Sequence, residues 1–288
     1  MDKIKYKAFL VTFNRSDRLS NVIDSILNQT IKPSILYIIN NGSTDSTDEV
    51  LNYYRNFDNL KILNTGNNIG HGAALAYGFK YYLSDSFIDS DNLMLFEDDS
   101  VPSPELSEYV IKNFYKYSSD FLCLDGFSIK LGKRTKPDFS NSKLVELDFG
   151  LFDGCIFKAE IIKKVGTPVE DWFMMYDDIE YCQRIRKAGY KIHCIENIYH
   201  EIDHSGAMGQ TSSLWRGYYQ TRNHVHYLKL HANSFEVFDF LVIESKRIIG
   251  TLLKGNLKKF KYRLIGLLDG ILGVKGKSLN PATFKFER

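Results

Sequence analysis

Four times within its first hundred residues the chain runs through a short apolar segment and then breaks into a polar, turn-forming loop. Residues 8–13 give way to Asn14, Arg15, Ser16 and Asp17, and residues 35–39 to Asn40, Asn41, Gly42, Ser43, Thr44 and Asp45. Residues 60–63 lead into a loop with Asn67, Asn68, Gly70 and Gly72, and residues 93–96 end in Glu97, Asp98 and Asp99. Leu19, Val22, Ile23, Ile26 and Leu27 recur at helical spacing up to Pro33, and good N-cap residues precede a helix over residues 46–56. Apolar runs without alternation are strands buried on both faces, and their alternation with helices predicts a parallel α/β sheet. In such a sheet ligands bind beyond the carboxyl ends of the strands, where these loops fall.

The acidic triplet Glu97, Asp98 and Asp99 breaks off an apolar run and is followed by Pro102 and Pro104. Clustered carboxylates repel one another unless a cation or a set of donors offsets them. A strand ending this way can hold a hard divalent ion against a diphosphate, or simply open a loop and cap the next helix. A second acidic cluster, Asp177, Asp178 and Glu180, precedes a basic helix with Arg184, Arg186 and Lys187. These acids suit either general-base work on a hydroxyl or the capping of that helix. His200 and His204 follow an expected strand over residues 191–198 and can complete a divalent site begun by carboxylates. The remaining histidines, His71 among them, are assigned structural or surface roles. No Walker-type phosphate loop is present, and the glycines at 70, 72 and 78 lack dinucleotide-fold spacing, so ATP and nicotinamide chemistry lose ground.

With 44% hydrophobic and 25% charged residues the chain is an ordinary globular one rather than a disordered one. Its four cysteines form no CxxC pair and residues 1–5 carry no signal-peptide core, which predicts reduced thiols and a cytoplasmic setting. The formal charge of +2 hides an asymmetry, because residues 227–288 hold twelve Lys or Arg against five Asp or Glu. From Lys246 onward apolar residues recur at helical spacing among lysines, as in a segment that lies on the anionic inner face of a plasma membrane. The alternative is a helical appendage packed on the catalytic domain or on another subunit, as in a homo-oligomer. No recognition motif accompanies the charge, so nucleic acid is not an expected partner. Within a seam near residues 205–225, the small, polar and glycine-bearing stretch 205–213 predicts a mobile loop that closes over a ligand, whereas residues 131–144 are assigned no chemistry.

Read together, residues 11–15, 41–45, 68–70, 97–99 and 172–181 resemble a family 2 glycosyltransferase with a GT-A fold. Residues 218–223 and 266–273 narrow the likeness to bacterial rhamnosyl- and galactofuranosyltransferases. The resemblance implies a Rossmann-like, mostly parallel sheet flanked by helices over residues 1–225, with a helical extension over 226–288. It implies a nucleotide-sugar donor along Thr12, Phe13, Asn14, Arg15, Asn40, Asn41, Asn68 and Gly70, with Asp98 on ribose or sugar. Asn40 stands where the family usually has an aspartate that receives the base N3–H, and Glu97 where it has the first metal-motif aspartate. The resemblance further implies a Mn²⁺ or Mg²⁺ ion held by Asp99, Glu97 and His200, with His204 as the alternative. Asp178 would be the base, with Asp177 and Glu180 placing acceptor hydroxyls. Arg222 would meet the diphosphate or the acceptor, or lie on a helix surface. The activity so implied is inverting transfer from a UDP- or dTDP-sugar, rhamnose or galactofuranose, to a hydroxyl of a lipid-linked cell-surface glycan. Transfer of a common pyranose, or a silent nucleotide-sugar-binding subunit, is the alternative.

Overall fold

The computed structural model describes residues 5–85, 88, 91–130, 133–198, 200–202 and 212–287. The expected alternation opens the chain: β1 (Tyr6–Thr12), α1 (Leu19–Leu27), β2 (Ile35–Asn40), α2 (Thr47–Tyr54), β3 (Leu60–Asn64), α3 (His71–Asp85) and β4 (Asn92–Glu97). The middle of the chain is cut into shorter pieces: β5 (Ser100–Pro102), α4 (Leu106–Lys116), β6 (Phe121–Cys123), β7 (Gly126–Lys130), β8 (Lys133–Thr135), β9 (Leu144–Glu146), β10 (Phe149–Gly150) and β11 (Ile156–Lys158). Then come α5 (Glu160–Val165), α6 (Asp177–Lys187), β12 (Ile192–Ile195) and β13 (His200–Ile202), and last the helices α7 (Ser212–His231), α8 (Ser234–Leu253) and α9 (Leu257–Leu272).

Eight strands form one sheet in the order β3-β2-β1-β4-β11-β6-β12-β9. β1 lies in its middle, parallel to β2 and β4, and every one of its residues is buried. Its side chains alternate between two cores. Phe9 and Val11 join Phe79 and Tyr82 of α3 on one face, while Ala8 and Leu10 join Val22 and Ile26 of α1 on the other. That two-sided burial is why the segment reads as a continuous apolar run. β11 enters antiparallel between β4 and β6, so the sheet is mostly parallel rather than wholly so. Residues 131–144 hold β8, the partner of β7 in a small hairpin, and the start of β9.

The C-terminal region differs from the expectation in two ways. The amphipathic segment expected from Lys246 onward is two helices, parted at Gly255, whose φ of +67° leaves the helical region. The boundary expected at 225/226 falls inside α7, a continuous helix. α9 packs on α7 so closely that a Cβ at Gly266 would come within 2.4 Å of the Tyr218 carbonyl oxygen. The Tyr218 hydroxyl donates to Asp269 Oδ2 (2.7 Å) and the Tyr219 hydroxyl to the Leu279 carbonyl (2.7 Å). The last helix is therefore built into the fold.

Candidate active site

Three loops meet at the carboxyl ends of β1, β2 and β3, and their polar groups bind one another. Asn14 Oδ1 accepts from Thr44 N (2.8 Å), and Asn14 N donates to Ser43 Oγ (3.0 Å). Asn41 Oδ1 accepts from Ile69 N (3.0 Å), Asn41 Nδ2 donates to Asn68 Oδ1 (3.3 Å), and the same Asn68 oxygen accepts from Gly70 N (3.0 Å). Thr12 is buried at the end of β1. Asn40 corrects the base-contact expectation: it is 1% exposed, its Oδ1 accepts from Ser43 N (3.1 Å), and its Nδ2 donates to Asp48 Oδ1 (2.7 Å). Asp98 joins this rim, receiving Phe13 N (3.0 Å) and Arg15 Nε (3.2 Å). Burial pushes its carboxyl up, against the pull of those donors.

Beyond this rim lies a cleft of about 440 Å³, lined by Glu97 and Asp99 from the end of β4, Asp177 and Asp178 from the start of α6, and Arg216 and Gln220 from α7. Asp99 and Asp178 stand 79 residues apart in sequence, and the fold brings them to one cleft. Two residues given no chemical role from the sequence share the site. His71 stands between the two acidic groups, Nδ1 at 2.7 Å from Asp177 Oδ2 and Nε2 at 3.2 Å from Glu97 Oε1. Asp153 Oδ1 accepts from Glu97 N (3.1 Å) and faces the cleft. The one signal for either was position: His71 opens the helix after the third polar loop, and Asp153 sits in a turn before a strand.

α6 begins on a strained support. Phe173, Met175 and Tyr176 all have φ between +64° and +73°, a region costly for side chains other than glycine. The strain is held in place from α7. Asn223 Nδ2 lies 2.7–3.0 Å from the carbonyls of Trp172, Met174 and Met175. Arg222 Nη2 donates to the Trp172 carbonyl (2.7 Å), and its other nitrogens reach Asn223, Gly276 and Ser278. This corrects the reading of Arg222 as a diphosphate contact, because the side chain is fully buried and all its nitrogens are engaged. Gly72 completes the arrangement, since a Cβ there would sit 2.8 Å from Asp177 Cβ and push α3 from α6.

Electrostatics separate the carboxylates. Burial pushes Asp178 up, and the adjacent Asp177 charge adds to it, bringing the carboxyl to about 7. Asp177 is buried too, but the His71 hydrogen bond and charge outweigh that and hold it below the usual range. His71 is in turn raised despite its burial by the charges of Glu97 and Asp177. Glu97 is raised by burial, with Asp153 and Asp99 adding repulsion. Glu180 does not face the cleft: it is 2% exposed and accepts from Arg184 and His231 (3.0 Å), so its expected role with the acceptor is corrected to a structural one.

Among the described residues no three His, Cys, Asp or Glu side chains close around an ion by themselves. The donor set nonetheless suits Mn²⁺ or Mg²⁺, hard ions that take one or two carboxylates and complete their shell with water and phosphate oxygens. Arg216 Nε is buried and without a hydrogen-bond partner among the described residues, and the guanidinium lies in the field of Asp99, so an anion beside Asp99 would meet it. β13 pairs with β5 so that Ile202 faces Ser100, next to Asp99, while His200 faces Pro102 at the far end. His204 and the loop expected to close over the ligand at 205–211 lie outside the described residues.

Residues 8–164 match the model of the family described as Glycosyl transferase family 2. A chondroitin synthase of Pasteurella multocida is 30% identical over 149 residues, 47% of this chain. The chain covers 14% of that protein's length. The galactofuranosyltransferase GlfT1 of Mycolicibacterium smegmatis is 23% identical over 202 residues, covering 63% of this chain and 65% of the relative. Among solved structures, S. aureus TarS 1–349 in complex with UDP-GlcNAc superposes with a TM-score of 0.60 at 17% identity, covering 94% of this chain and 81% of that one. A mannosyltransferase from Pyrobaculum calidifontis with GDP-Man and Mn²⁺ gives 0.59 at 14% identity, over 96% of this chain and 77% of that one. The likeness in fold extends over nearly the whole chain.

Proposed function

We propose a specific transfer for this chain, which belongs to glycosyl transferase family 2: a metal-dependent, inverting movement of galactofuranose or rhamnose from a UDP- or dTDP-sugar to a hydroxyl of a lipid-linked cell-surface glycan. The observation that carries it is that Asp99 and Asp178 line one cleft. UDP as carrier and galactofuranose as cargo are supported by the TarS complexes with UDP and UDP-GlcNAc and by the GlfT1 relative.

In this reading Asp99 and Glu97 hold the cation, with Asp153 fixing the backbone at Glu97. His200, whose backbone pairs opposite Pro102, remains the third candidate ligand of the set. The cation when bound offsets the negative charge that gathers on the departing diphosphate. Arg216 takes the place the sequence suggested for Arg222 and adds a guanidinium beside the phosphates. The acceptor oxygen attacks the anomeric carbon as the bond to the diphosphate breaks. The nucleoside diphosphate leaves with that bond's electron pair, and the hydroxyl proton passes to the Asp178 carboxylate. His71 keeps Asp177 ionised beside it, and burial together with that ionised neighbour makes Asp178 hold a proton more strongly than an exposed aspartate.

The test is a panel of UDP- and dTDP-sugars with Mn²⁺ or Mg²⁺, following donor hydrolysis and transfer to extracted glycolipid. Turnover of galactofuranose or rhamnose donors is expected. UDP-GlcNAc turnover in their place would move the reading to a pyranose transferase, and UDP binding with no turnover of any donor would make the chain a silent nucleotide-sugar-binding subunit.

A further inference from the structure

α8 is amphipathic the wrong way round for a helix on a water-facing surface. Phe235, Phe238, Leu241, Ile249, Leu252 and Leu253 form one outward stripe at helical spacing, and Phe235 is 78% and Leu253 81% exposed. The inward side holds Phe240, packed on His224, and beside it a buried charge. Glu244 is 3% exposed, accepts from Thr221 Oγ1 (3.0 Å) and Arg247 Nη1 (2.6 Å), and pairs with Arg263 at 3.5 Å. A surface helix normally buries its apolar stripe and turns charge to solvent. Here the polar lock fixes α8 against α7 and α9 with its apolar stripe outward, and an exposed apolar face of that length marks a surface that meets something other than water.

Charge selects the occupant. Lys246, Lys254, Lys258 and Lys261 border the stripe where α8 turns into α9, all exposed, and none makes an ion pair with a described residue. A second copy docked through the same face with the two helices parallel would bring these lysines toward their own equivalents, and neither a parallel nor an antiparallel pair gives the stripe an acidic partner, since the stripe itself carries no carboxylate. Anionic lipid headgroups would neutralise them while the stripe enters the acyl boundary. No helix among the described residues is long and apolar enough to cross a membrane. We propose that the outer face of α8 lies flat on an anionic lipid surface, with Phe238, Leu241 and Leu253 in the acyl boundary and the four lysines at the headgroups. The tail's basic charge acts through this face, and α9 stays docked on α7. The inference stands apart from the catalytic reading, since it needs only α8 and its surroundings.

The experiment uses the full chain in vesicle sedimentation, comparing phosphatidylcholine alone with the same lipid holding roughly 30% phosphatidylglycerol. Binding at least about tenfold stronger to the anionic vesicles is expected, falling at high salt. Phe238→Ser with Leu241→Ser, both exposed positions, should cut that binding about tenfold or more, and Lys254→Glu with Lys258→Glu should do the same through charge. A Leu241→Trp reporter should shift its emission to the blue with anionic vesicles, which keeps the test decisive if the double serine variant fails to fold. Absent binding, binding unmoved by the charge reversal, or an unshifted reporter overturns the proposal. So does self-association of the full chain that is lost on Leu241→Asp without any vesicle binding, which would assign the face to a second copy.

Discussion

His71 Nδ1 lies 2.7 Å from Asp177 Oδ2, so the first residue of α3 and the first of α6 are joined across the floor of the cleft. The other ring nitrogen reaches Glu97, and one imidazole thereby ties the metal-motif strand to the helix that presents Asp178. Replacing it by leucine leaves two carboxylates facing each other without the imidazole that joins them. A loss of roughly 1–3 kcal/mol of stability near neutral pH is expected, the usual cost of removing hydrogen bonds to charged groups. Urea denaturation measures it, and an unchanged midpoint would show the contact to be idle.

Asp178→Asn should leave the affinity for UDP with Mn²⁺ within a few-fold and lower turnover by about two to four orders of magnitude, as removal of a general base does. Calorimetry and steady-state rates separate the two. A large loss of UDP affinity would place Asp178 with the donor instead.

The raised Asp178 carboxyl also sets a pH dependence. A base must be ionised, so kcat/KM should climb as pH rises through about 7. Stability runs the other way. A carboxyl with a folded pKa above its unfolded value binds protons more tightly when folded, so stability falls as pH rises from about 4 to about 7. Asp178→Asn should therefore melt at a higher temperature than the parent chain at pH 8, and at a similar one at pH 4. Calorimetric melts at both values decide it.

Asp99→Asn should abolish the Mn²⁺ dependence of UDP binding, read as calorimetric titrations that coincide with and without the ion. Arg216→Gln should weaken UDP binding about tenfold or more without changing the melting temperature by more than a few degrees, because a hydrogen bond to a charged group contributes about 1.5–3 kcal/mol.

Arg222→Met should behave oppositely to Arg216→Gln. It removes a buried guanidinium whose partners hold the strained turn at residues 173–176, so several kcal/mol of stability, roughly 2–4, should be lost. The melting temperature reads this directly. A stable variant with weakened UDP binding would restore the role first suggested for Arg222.

Much of this protein is written locally. The apolar runs at 8–13, 35–39, 60–63 and 93–96 and the helical spacing from Leu19 to Leu27 specify strands, a helix and the end of the sheet at which ligands bind, because side-chain period and turn chemistry act over a few residues. Glu97, Asp99, Asp177 and Asp178 stood out for the same reason, as acids crowded where a strand stops or a helix starts. What stayed hidden depends on contacts between residues far apart in the chain. His71 reads as one histidine after a loop until α6 is laid against α3, and Asp153 as a turn residue until its β-strand enters beside β4. Arg222 and Arg216 are alike in the sequence, both arginines on one helix. Only the packing of α7 against the Trp172 turn and α9 makes the first a buried strut and leaves the second facing Asp99, since burial is a property of the assembled fold and not of the residue.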